Sequence, residues 1–256
     1  MASLPTSFHE AAFPAGITER EARELQRKLA PQVRQEPLDV EAVRLVAGAD
    51  ISFDKAPAGQ IETPVCAGFV TLRLPELTLH EWSGVRTTAR FPYIPGLLSF
   101  REVPPLLEAW ASLQEQPDAL LADGQGLAHP RRFGLACHLG LLLDLPTVGV
   151  AKSLLIGKHG PVPEEVGGWA PLEDHGEVVG AALRTRSGVS PIYVSIGHRI
   201  DLPSAITLVL RCLGKVRVPE TTRYAHQYVN DLRRDPDFPL HSSTEAQQNL
   251  LKSLNF

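Results

Sequence analysis

The sequence contains little cysteine. Its 256 residues include only three cysteines, Cys66, Cys137 and Cys212, and each lies in an apolar stretch. Three scattered thiols do not make a disulfide framework or the paired spacing of a zinc site, and thiols in apolar surroundings are typical of reduced core residues. The small disulfide-bonded and zinc-stapled classes of domain are therefore excluded.

Other common signals are also missing. No apolar run approaches membrane-spanning length without a charge or a proline, and the N-terminus has no basic-then-apolar signal pattern. The sequence has no Walker phosphate loop, no dinucleotide-binding glycine fingerprint and no internal repeat. We therefore expect a soluble, cytoplasmic protein with no membrane partner and no nucleotide cofactor.

An excess of basic residues is absent too. The 25 Lys and Arg residues stand against 29 Asp and Glu residues, which gives a net charge of −4. No overall positive field therefore indicates a nucleic-acid partner. A nucleic-acid function would need a local basic groove, or metal ions that offset the phosphate charges.

What is present is the composition of a globular α/β protein. Hydrophobic residues make up 43% of the chain, and 22 prolines with 20 glycines predict many turns rather than a helical bundle. Three early strands are predicted over residues 43–53, 65–74 and 77–82. Their short links indicate an antiparallel meander. Before them, Thr18 and Glu21 have capping-box spacing and begin a short helix that ends before Pro31.

The later part of the chain alternates helices and strands. The predicted elements are helices over 100–112 and 202–213 and strands over 177–186 and 192–195, with 87–99 irregular, 157–174 a surface loop and a short helix over 246–254. Antiparallel strands followed by this alternation predict a mixed sheet with helices on both faces. We expect one catalytic domain over residues 1–230 and an appendage over residues 231–256.

The stretch over residues 120–154 organises the rest. Residues 119–122 are an apolar run typical of a buried strand, and Asp123 follows at its carboxyl end. Ligands of open α/β sheets gather at that edge. Gly124 and Gly126 then allow a tight turn and a close backbone approach to a ligand.

The same stretch continues as a strand–helix–strand unit. His129-Pro130 opens a helical pattern, because proline suits a first helical turn. The chain then returns through a second buried strand over residues 147–150, which is followed by Lys152. The unit thus carries an Asp after one strand and a Lys after the next.

Five polar residues near element ends are candidates for chemistry: Asp50, Glu102, Asp123, Lys152 and His226. Each has an ordinary explanation, namely a strand-end Asp facing water, a Glu in a first helical turn, an Asp-Gly turn, a solvated Lys and an exposed or structural His. As a set they suit Mg²⁺ or Mn²⁺, with the lysine as a point charge for phosphate. Paired metals in such sites activate water for phosphodiester hydrolysis.

A second notable stretch is Phe91-Pro92-Tyr93-Ile94-Pro95-Gly96. The prolines stiffen the loop and hold an aromatic and an aliphatic side chain outward. A rigid apolar wedge of this kind can enter a base stack and occupy the gap left by an extruded base. The ordinary alternative is a proline-rich loop whose Tyr93 packs on the domain, and without the acidic set that alternative is the better interpretation.

Taken together, these residues resemble endonuclease V, the nuclease family that repairs deaminated adenine. The resemblance runs from residue 43 to residue 226. It rests on AGADISF at 47–53, PYIPGLLSFRE at 92–102, DGQG at 123–126, HPR at 129–131 and GVAK at 149–152, with weaker matches at 191–198 and 223–226. Ile196 departs from the family pattern, where Pro is usual, and the tail beyond His226 has no clear match.

The resemblance implies a ribonuclease H-like fold and a metal-dependent cut at the second phosphodiester bond 3′ to deoxyinosine, which leaves 3′-hydroxyl and 5′-phosphate ends. It implies that Mg²⁺, with Mn²⁺ as a substitute, is held by Asp50, Glu102, Asp123 and His226. Lys152 would assist at the scissile phosphate. Local basic residues would offset the remaining phosphates: Arg101, Arg131, Arg132 and Lys152.

The resemblance also implies where DNA binds. The wedge is formed by Pro92, Tyr93, Ile94, Pro95 and Gly96, and Tyr93 stacks against DNA. The flipped hypoxanthine would occupy a pocket near Leu98, Gly124 and His129. The expected partner is DNA that contains deoxyinosine, with inosine-containing RNA open as an alternative, and the expected state is a monomer.

Two other functions stay open at this point. The protein could be a binding module that recognises deaminated bases or branched DNA without cutting it, although the complete acidic set disfavours this. It could also be a metal-dependent phosphohydrolase of small molecules. That function leaves the wedge over residues 91–96 without a purpose.

Overall fold

The computed structural model describes residues 16–53 and 62–242 of the chain. Its helices are α1 (Glu19–Leu29), α2 (Leu98–Trp110), α3 (Leu135–Leu143), α4 (Leu202–Arg211) and α5 (Glu220–Arg234). Its strands are β1 (Leu45–Phe53), β2 (Thr63–Arg73), β3 (Thr78–Ala89), β4 (Ala119–Asp123), β5 (Thr147–Ala151), β6 (Trp169–Asp174), β7 (Glu177–Leu183) and β8 (Ile192–His198). Within these ranges, no helix has the length and apolar character needed to cross a membrane.

The strands form one mixed sheet in the order β3-β2-β1-β4-β5-β8-β7-β6. The first three strands pair antiparallel, which confirms the predicted meander. Strands β1, β4 and β5 then run parallel to one another at the centre of the sheet. Strand β8 returns antiparallel to β5, and β7 and β6 complete the other edge.

Helices cover both faces of this sheet. Val46 and Leu121 contribute to the core that includes α4, whereas their chain neighbours Ala47 and Leu120 contribute to the core that includes α2 and α3. Successive residues of a strand point to opposite faces, so each central strand supplies both cores. The predicted mixed sheet with helices on both faces is confirmed.

Helix α5 packs closely on β1, and a glycine makes this possible. A Cβ added to Gly48 would lie 2.0 Å from the carbonyl oxygen of Thr221, far inside van der Waals contact. Further along, α5 packs Tyr228 and Leu232 into a third core beside β2 and β3. The close approach at Gly48 is therefore what brings the first turns of α5 over β1.

Several predicted elements differ from the structure, three of them substantially. Helix α3 begins at Leu135 and not at His129-Pro130, because that segment turns back on itself with the Arg132 N–H donating to the His129 carbonyl at 2.8 Å. Strand β3 continues through residues 87–89, which were predicted to be irregular. The predicted surface loop over 157–174 contains β6, which pairs with β7 at the edge of the sheet.

Helix α5 continues across residue 230, the predicted limit of the catalytic domain. Beyond the helix, the Leu240 carbonyl accepts hydrogen bonds from the Gly84 N–H and the Tyr228 hydroxyl, both at 2.8 Å. The first residues of the predicted appendage thus complete α5 and pack beside β3. The division at residue 230 stays a prediction, and the predicted helix over 246–254 lies outside the described residues.

Candidate active site

Asp50 and Asp123 lie next to each other at the end of the parallel pairing between β1 and β4. Ala49 of β1 lies opposite Ala122 of β4 in the last pair of their ladder, so that Asp50 and Asp123 follow side by side. The apolar residues before them are buried in the sheet. The Asp50 side chain is mostly buried, which excludes a strand-end Asp that simply faces water. The two carboxylates are therefore held together in a partly buried position.

A lysine from the next strand joins them. Asp123 lies opposite Val150 of β5, and Lys152 comes two residues later. Its Nζ lies 2.5 Å from Asp123 Oδ2, while about half of the lysine side chain stays exposed. Lys152 is thus paired with Asp123 and still open to a ligand. We call Asp50, Asp123 and Lys152, together with His226 and Glu102, the acidic centre.

Helix α5 supplies a histidine to the same place. His226 Nδ1 lies 2.7 Å from Asp50 Oδ2, although the two residues are 176 positions apart in the chain. One ligand atom each of Asp50, Asp123 and His226 lies within 4.8 Å of the other two. Opposite ligands of one Mg²⁺ ion are about 4.2 Å apart. This trio therefore has the donors and the spacing that a divalent cation requires.

Glu102 faces the centre but does not belong to the trio. It lies beyond the first turn of α2, and that turn contains no acidic residue. The ordinary explanation, a first-turn carboxylate that stabilises the helix N-terminus, therefore does not apply to Glu102. Burial raises its pKa well above the ordinary value, and the charges of Asp50 and Asp123 raise it further. The structure thus brings a third carboxylate into the field of the first two.

The pKa of the other groups reflects the same crowding of charge. Burial and the neighbouring Asp50 raise the pKa of Asp123, and Lys152 opposes that rise. The hydrogen bond to Asp50 raises the pKa of His226. Carboxylates that repel one another around a partly buried point are stabilised by a bound cation. The donor set therefore fits Mg²⁺ or Mn²⁺.

A series of hydrogen-bonded side chains extends from His226, and it was not predicted from the sequence. The amide nitrogen of Asn230 lies 3.2 Å from His226 Nε2, and its oxygen accepts from the Ser52 hydroxyl at 2.9 Å. Arg233 in turn donates to the Ser52 hydroxyl at 2.8 Å. The available signal was spacing, because Ser52 lies two residues after Asp50 on a strand and Asn230 one turn after His226 on a helix.

A cavity of about 410 Å³ opens beside the acidic centre. Seven of the eight residues predicted to contact DNA line it: Tyr93, Ile94, Pro95, Gly96, Leu98, Gly124 and His129. Pro92 is not among its lining residues. Asp123 and Lys152 form part of the same wall, so the cavity and the acidic centre share residues.

Tyr93 stands at the edge of this cavity. It is 71% exposed, so the alternative in which Tyr93 packs on the domain is wrong. Leu154 and Leu155 also line the cavity and are exposed large apolar residues. They were not singled out from the sequence, although only Ser153 separates them from Lys152. The mouth of the cavity therefore presents an apolar surface next to charged residues.

His129 is buried in the wall and uncharged at neutral pH. Burial lowers its pKa to about 4, and the positive charge of Arg131 adds to that effect. Its Nε2 lies 2.9 Å from the Gly96 carbonyl, and its Nδ1 lies 3.2 Å from the Arg131 N–H. A carbonyl only accepts and an N–H only donates, so the proton of the neutral ring sits on Nε2.

All three arginines expected to offset phosphate charge have partners within the protein, and Arg131 donates to the Gly96 carbonyl at 2.6 Å. Arg101 is buried, donates to the Phe91 carbonyl at 2.9 Å and stacks on the Phe53 ring. Arg132 forms ion pairs with Asp174 and Glu177. The expectation is therefore wrong for Arg101, whose guanidinium stabilises the loop from within, and Arg132 has its charge compensated already.

Comparison with known proteins agrees with this geometry. The family model described as Endonuclease V matches residues 27–227. The endonuclease V of Myxococcus xanthus is 51% identical over 218 residues, which is 85% of this chain and 91% of that protein. The Nostoc endonuclease V is 49% identical over 218 residues, 85% of this chain and 96% of its own.

Solved structures agree as well. The crystal structure of endonuclease V from Streptomyces avermitilis superimposes with a TM-score of 0.80 at 40% identity, covering 87% of this chain and 96% of that one. The Ciona intestinalis endonuclease V, solved with a 23mer DNA containing an inosine followed by a ribo-adenosine, gives 0.74 at 27% identity over 85% and 99%. The ribonuclease H-like fold is thereby confirmed. This chain belongs to the endonuclease V family.

Proposed function

We propose that this protein is a Mg²⁺-dependent endonuclease that recognises deoxyinosine in DNA and hydrolyses the second phosphodiester bond 3′ to the lesion. The products carry 3′-hydroxyl and 5′-phosphate ends. One observation carries the proposal: Asp123 and Lys152 belong both to the acidic centre and to the wall of the cavity. A base held in the cavity places the phosphates of its own strand beside the groups proposed to cut it.

The acidic residues hold the metal in this proposal. Asp50, Asp123 and His226 provide the ligand atoms that lie closest together, and Glu102 completes the set from α2. Bound Mg²⁺, or Mn²⁺ in its place, supplies charge stabilisation at the phosphate and a water that is easier to deprotonate. Lys152 contributes a fixed positive charge that stabilises negative charge developing on the scissile phosphate.

The loop over residues 92–96 and the cavity recognise the lesion. Tyr93 enters the base stack, and base–aromatic stacking contributes about 1–3 kcal/mol to binding. The extruded hypoxanthine occupies the cavity beside Leu98, Gly124 and His129. The Ciona intestinalis relative, which is 27% identical to this chain, has been solved with inosine-containing DNA, and this supports the same class of ligand here.

We expect the enzyme to act as a monomer in the cytoplasm. All the residues proposed for cutting and for recognition come from one chain, so the reaction needs no second copy. Deoxyinosine-containing DNA is the proposed partner, and inosine-containing RNA is the substrate to compare with it.

The test is cleavage of an end-labelled duplex with a single deoxyinosine in the presence of Mg²⁺. Wild type should make one nick at the second phosphodiester bond 3′ to the lesion, and Asp50→Ala should make none. The exposed Asp39→Ala is a matched control that should cut like wild type. Extension of the nick by a strand-displacing polymerase reports a 3′-hydroxyl, and direct resealing of the unextended nick by a DNA ligase requires both a 3′-hydroxyl and a 5′-phosphate.

The other functions give different results. A binding module would shift the inosine duplex but never cut it with Mg²⁺ or Mn²⁺. A phosphohydrolase would release phosphate from small phosphate esters and leave the duplex intact. The same lesion placed in RNA shows which nucleic acid is cut faster, and no cut in either strand would contradict the proposal.

A further inference from the structure

A buried glutamine on α1 connects this helix to the lesion-recognition loop. Gln26 is only 1% exposed and lies on the same helix face as Ala22 and Leu29, which pack into the core. Burying an amide is unfavourable unless its hydrogen bonds are made. The partners of Gln26 therefore explain why an amide occupies this apolar face.

The hydrogen bonds of the Gln26 amide all lead to other segments of the chain. Its nitrogen donates to the carbonyls of Gly96 and Phe133, both at 3.1 Å, and its oxygen accepts from Nε of Arg131. A guanidinium cannot accept and a carbonyl cannot donate, so the amide has one orientation. Gln26 thus joins residues that lie 70 to 107 positions away in the sequence.

The Gly96 carbonyl is the point where these contacts converge. Besides Gln26, it accepts from Nη2 of Arg131 at 2.6 Å and from Nε2 of His129 at 2.9 Å. Gly96 has φ +78°, and a Cβ here would lie 2.8 Å from the Arg131 guanidinium. We call Gln26, Gly96, His129 and Arg131 the carbonyl clamp.

The clamp holds the end of the loop that carries Tyr93. Gly96 is the last residue of the stretch over 92–96, and the Leu97 N–H closes a turn onto the Ile94 carbonyl at 2.9 Å. Tyr93 itself is exposed and receives no support from the core. The position of Tyr93 over the cavity therefore depends on its loop, which is held by the packing of Phe91 and Ile94 and by Arg101 on one side, and by the clamp at the loop's end.

We propose that Gln26 is a positioning residue for lesion recognition, which holds the Tyr93 loop against the wall of the base cavity through the Gly96 carbonyl. This inference rests on the proposed function. Gln26 lines the cavity but is not part of the acidic centre. Its loss should weaken the preference for inosine duplex and leave the cutting step intact.

Two substitutions separate its bonds. Gln26→Leu removes all of them at similar volume. Gln26→Glu keeps an oxygen for Arg131 but replaces the donor to Gly96 and Phe133 with a second acceptor. Leu29→Ala is the matched control, because Leu29 lies one turn along the same helix and packs into the core away from the clamp. Each variant is compared by thermal unfolding and assayed well below its melting temperature.

The measurement is the ratio of the Kd values for undamaged and deoxyinosine duplexes, taken in an Asp123→Asn background with Mg²⁺ so that the DNA stays intact. Leaving a buried partner unpaired costs enough to expect a roughly tenfold fall in that ratio for both Gln26 variants. A 2-aminopurine beside the lesion should brighten less on binding. In proteins that retain Asp123, the single-turnover rate of cutting at saturating duplex should stay within about twofold of wild type for both Gln26 variants. This is the result expected when only binding is weakened.

The outcomes are distinct. Gln26→Glu with an unchanged ratio would mean that Gln26 only anchors Arg131, which overturns the inference. If the Kd ratio falls equally in Leu29→Ala, the cause is a general loosening of α1 and not the loss of the Gln26 hydrogen bonds. That result also overturns the inference. If wild type itself shows no preference for the inosine duplex, the proposed function fails first, and that result is visible before any Gln26 variant is compared.

Discussion

The acidic centre and the carbonyl clamp lie on the same cavity but are held together in opposite ways. The centre gathers Asp50, Glu102 and Asp123, and burial, together with repulsion among their charges, raises the pKa of Glu102 and Asp123. The clamp gathers three donors around the Gly96 carbonyl, because Gln26, His129 and Arg131 all direct hydrogen bonds to it before a ligand arrives. Groups that bind a cation are left incompletely paired, whereas groups that shape a pocket are paired in advance.

The strongest test of this contrast is Asp123→Asn. Replacing a charged ligand of the centre should lower cleavage roughly 1,000-fold or more, the scale expected for an essential electrostatic group. Binding to the deoxyinosine duplex should change little, because the carboxylate serves chemistry more than recognition. Cleavage assays and gel shifts on one duplex measure both. Wild-type turnover would remove Asp123 from the site, and Asp39→Asn controls for the loss of an exposed charge.

His226→Ala should have a smaller effect on the same side of the comparison. The centre keeps its carboxylates, so cleavage should fall by roughly 100-fold and not vanish, as for loss of a supporting metal contact. The Mg²⁺ concentration that gives half-maximal rate should rise, because one ligand is missing. Titration of the cutting rate with Mg²⁺ checks this. A variant with unaltered rate and metal dependence would make His226 a structural residue.

Tyr93→Ala tests the recognition side. Loss of base stacking should weaken binding to the inosine duplex about tenfold. Tyr93→Phe keeps the ring and is the control, so it should bind like wild type. A fluorescence-anisotropy titration of both variants measures the difference. Equal affinities of the alanine variant and wild type would show that the loop is not the wedge and would leave the small-molecule phosphohydrolase in contention.

The smallest effect concerns the buried His129 and stability. Its pKa is lowered to about 4, below the ordinary value of 6.5, so the unfolded chain takes up the proton first as pH falls. The stability it contributes is therefore complete above pH 6.5 and is lost as pH falls toward 4. Linkage gives a loss of about 2 kcal/mol in the free energy of unfolding between pH 7 and pH 5.

His129→Gln should remove that part of the pH dependence. Urea unfolding at the two pH values measures the change for wild type and variant. The fully buried His138, whose pKa burial lowers to about 3, has the same sign and remains in both proteins. Parallel pH profiles for wild type and His129→Gln would contradict the assignment of an uncharged His129.

Local patterns predicted the parts of the fold that depend on near neighbours. The capping box of Thr18 and Glu21 forms as expected, with the Thr18 N–H donating to Glu21 Oε2 at 2.9 Å. The meander and the strand before Asp123 were also recognised, because apolar runs between turn residues mark buried strands. The helix expected at His129-Pro130 was wrong, since proline suits a tight turn as well as a first helical turn.

By itself, the sequence determined the family, the strands that carry Asp50 and Asp123, and the loop that carries Tyr93. All of these are properties of continuous segments. The resemblance had also placed His226 with Asp50 in one metal site, but only the tertiary structure shows how these two residues meet across 176 positions. It alone decided that Gln26 meets Gly96 across 70 positions. The physical reason is that such contacts depend on the order of strands in the sheet and on the close packing of α5 on Gly48. Neither leaves a periodic pattern in the chain.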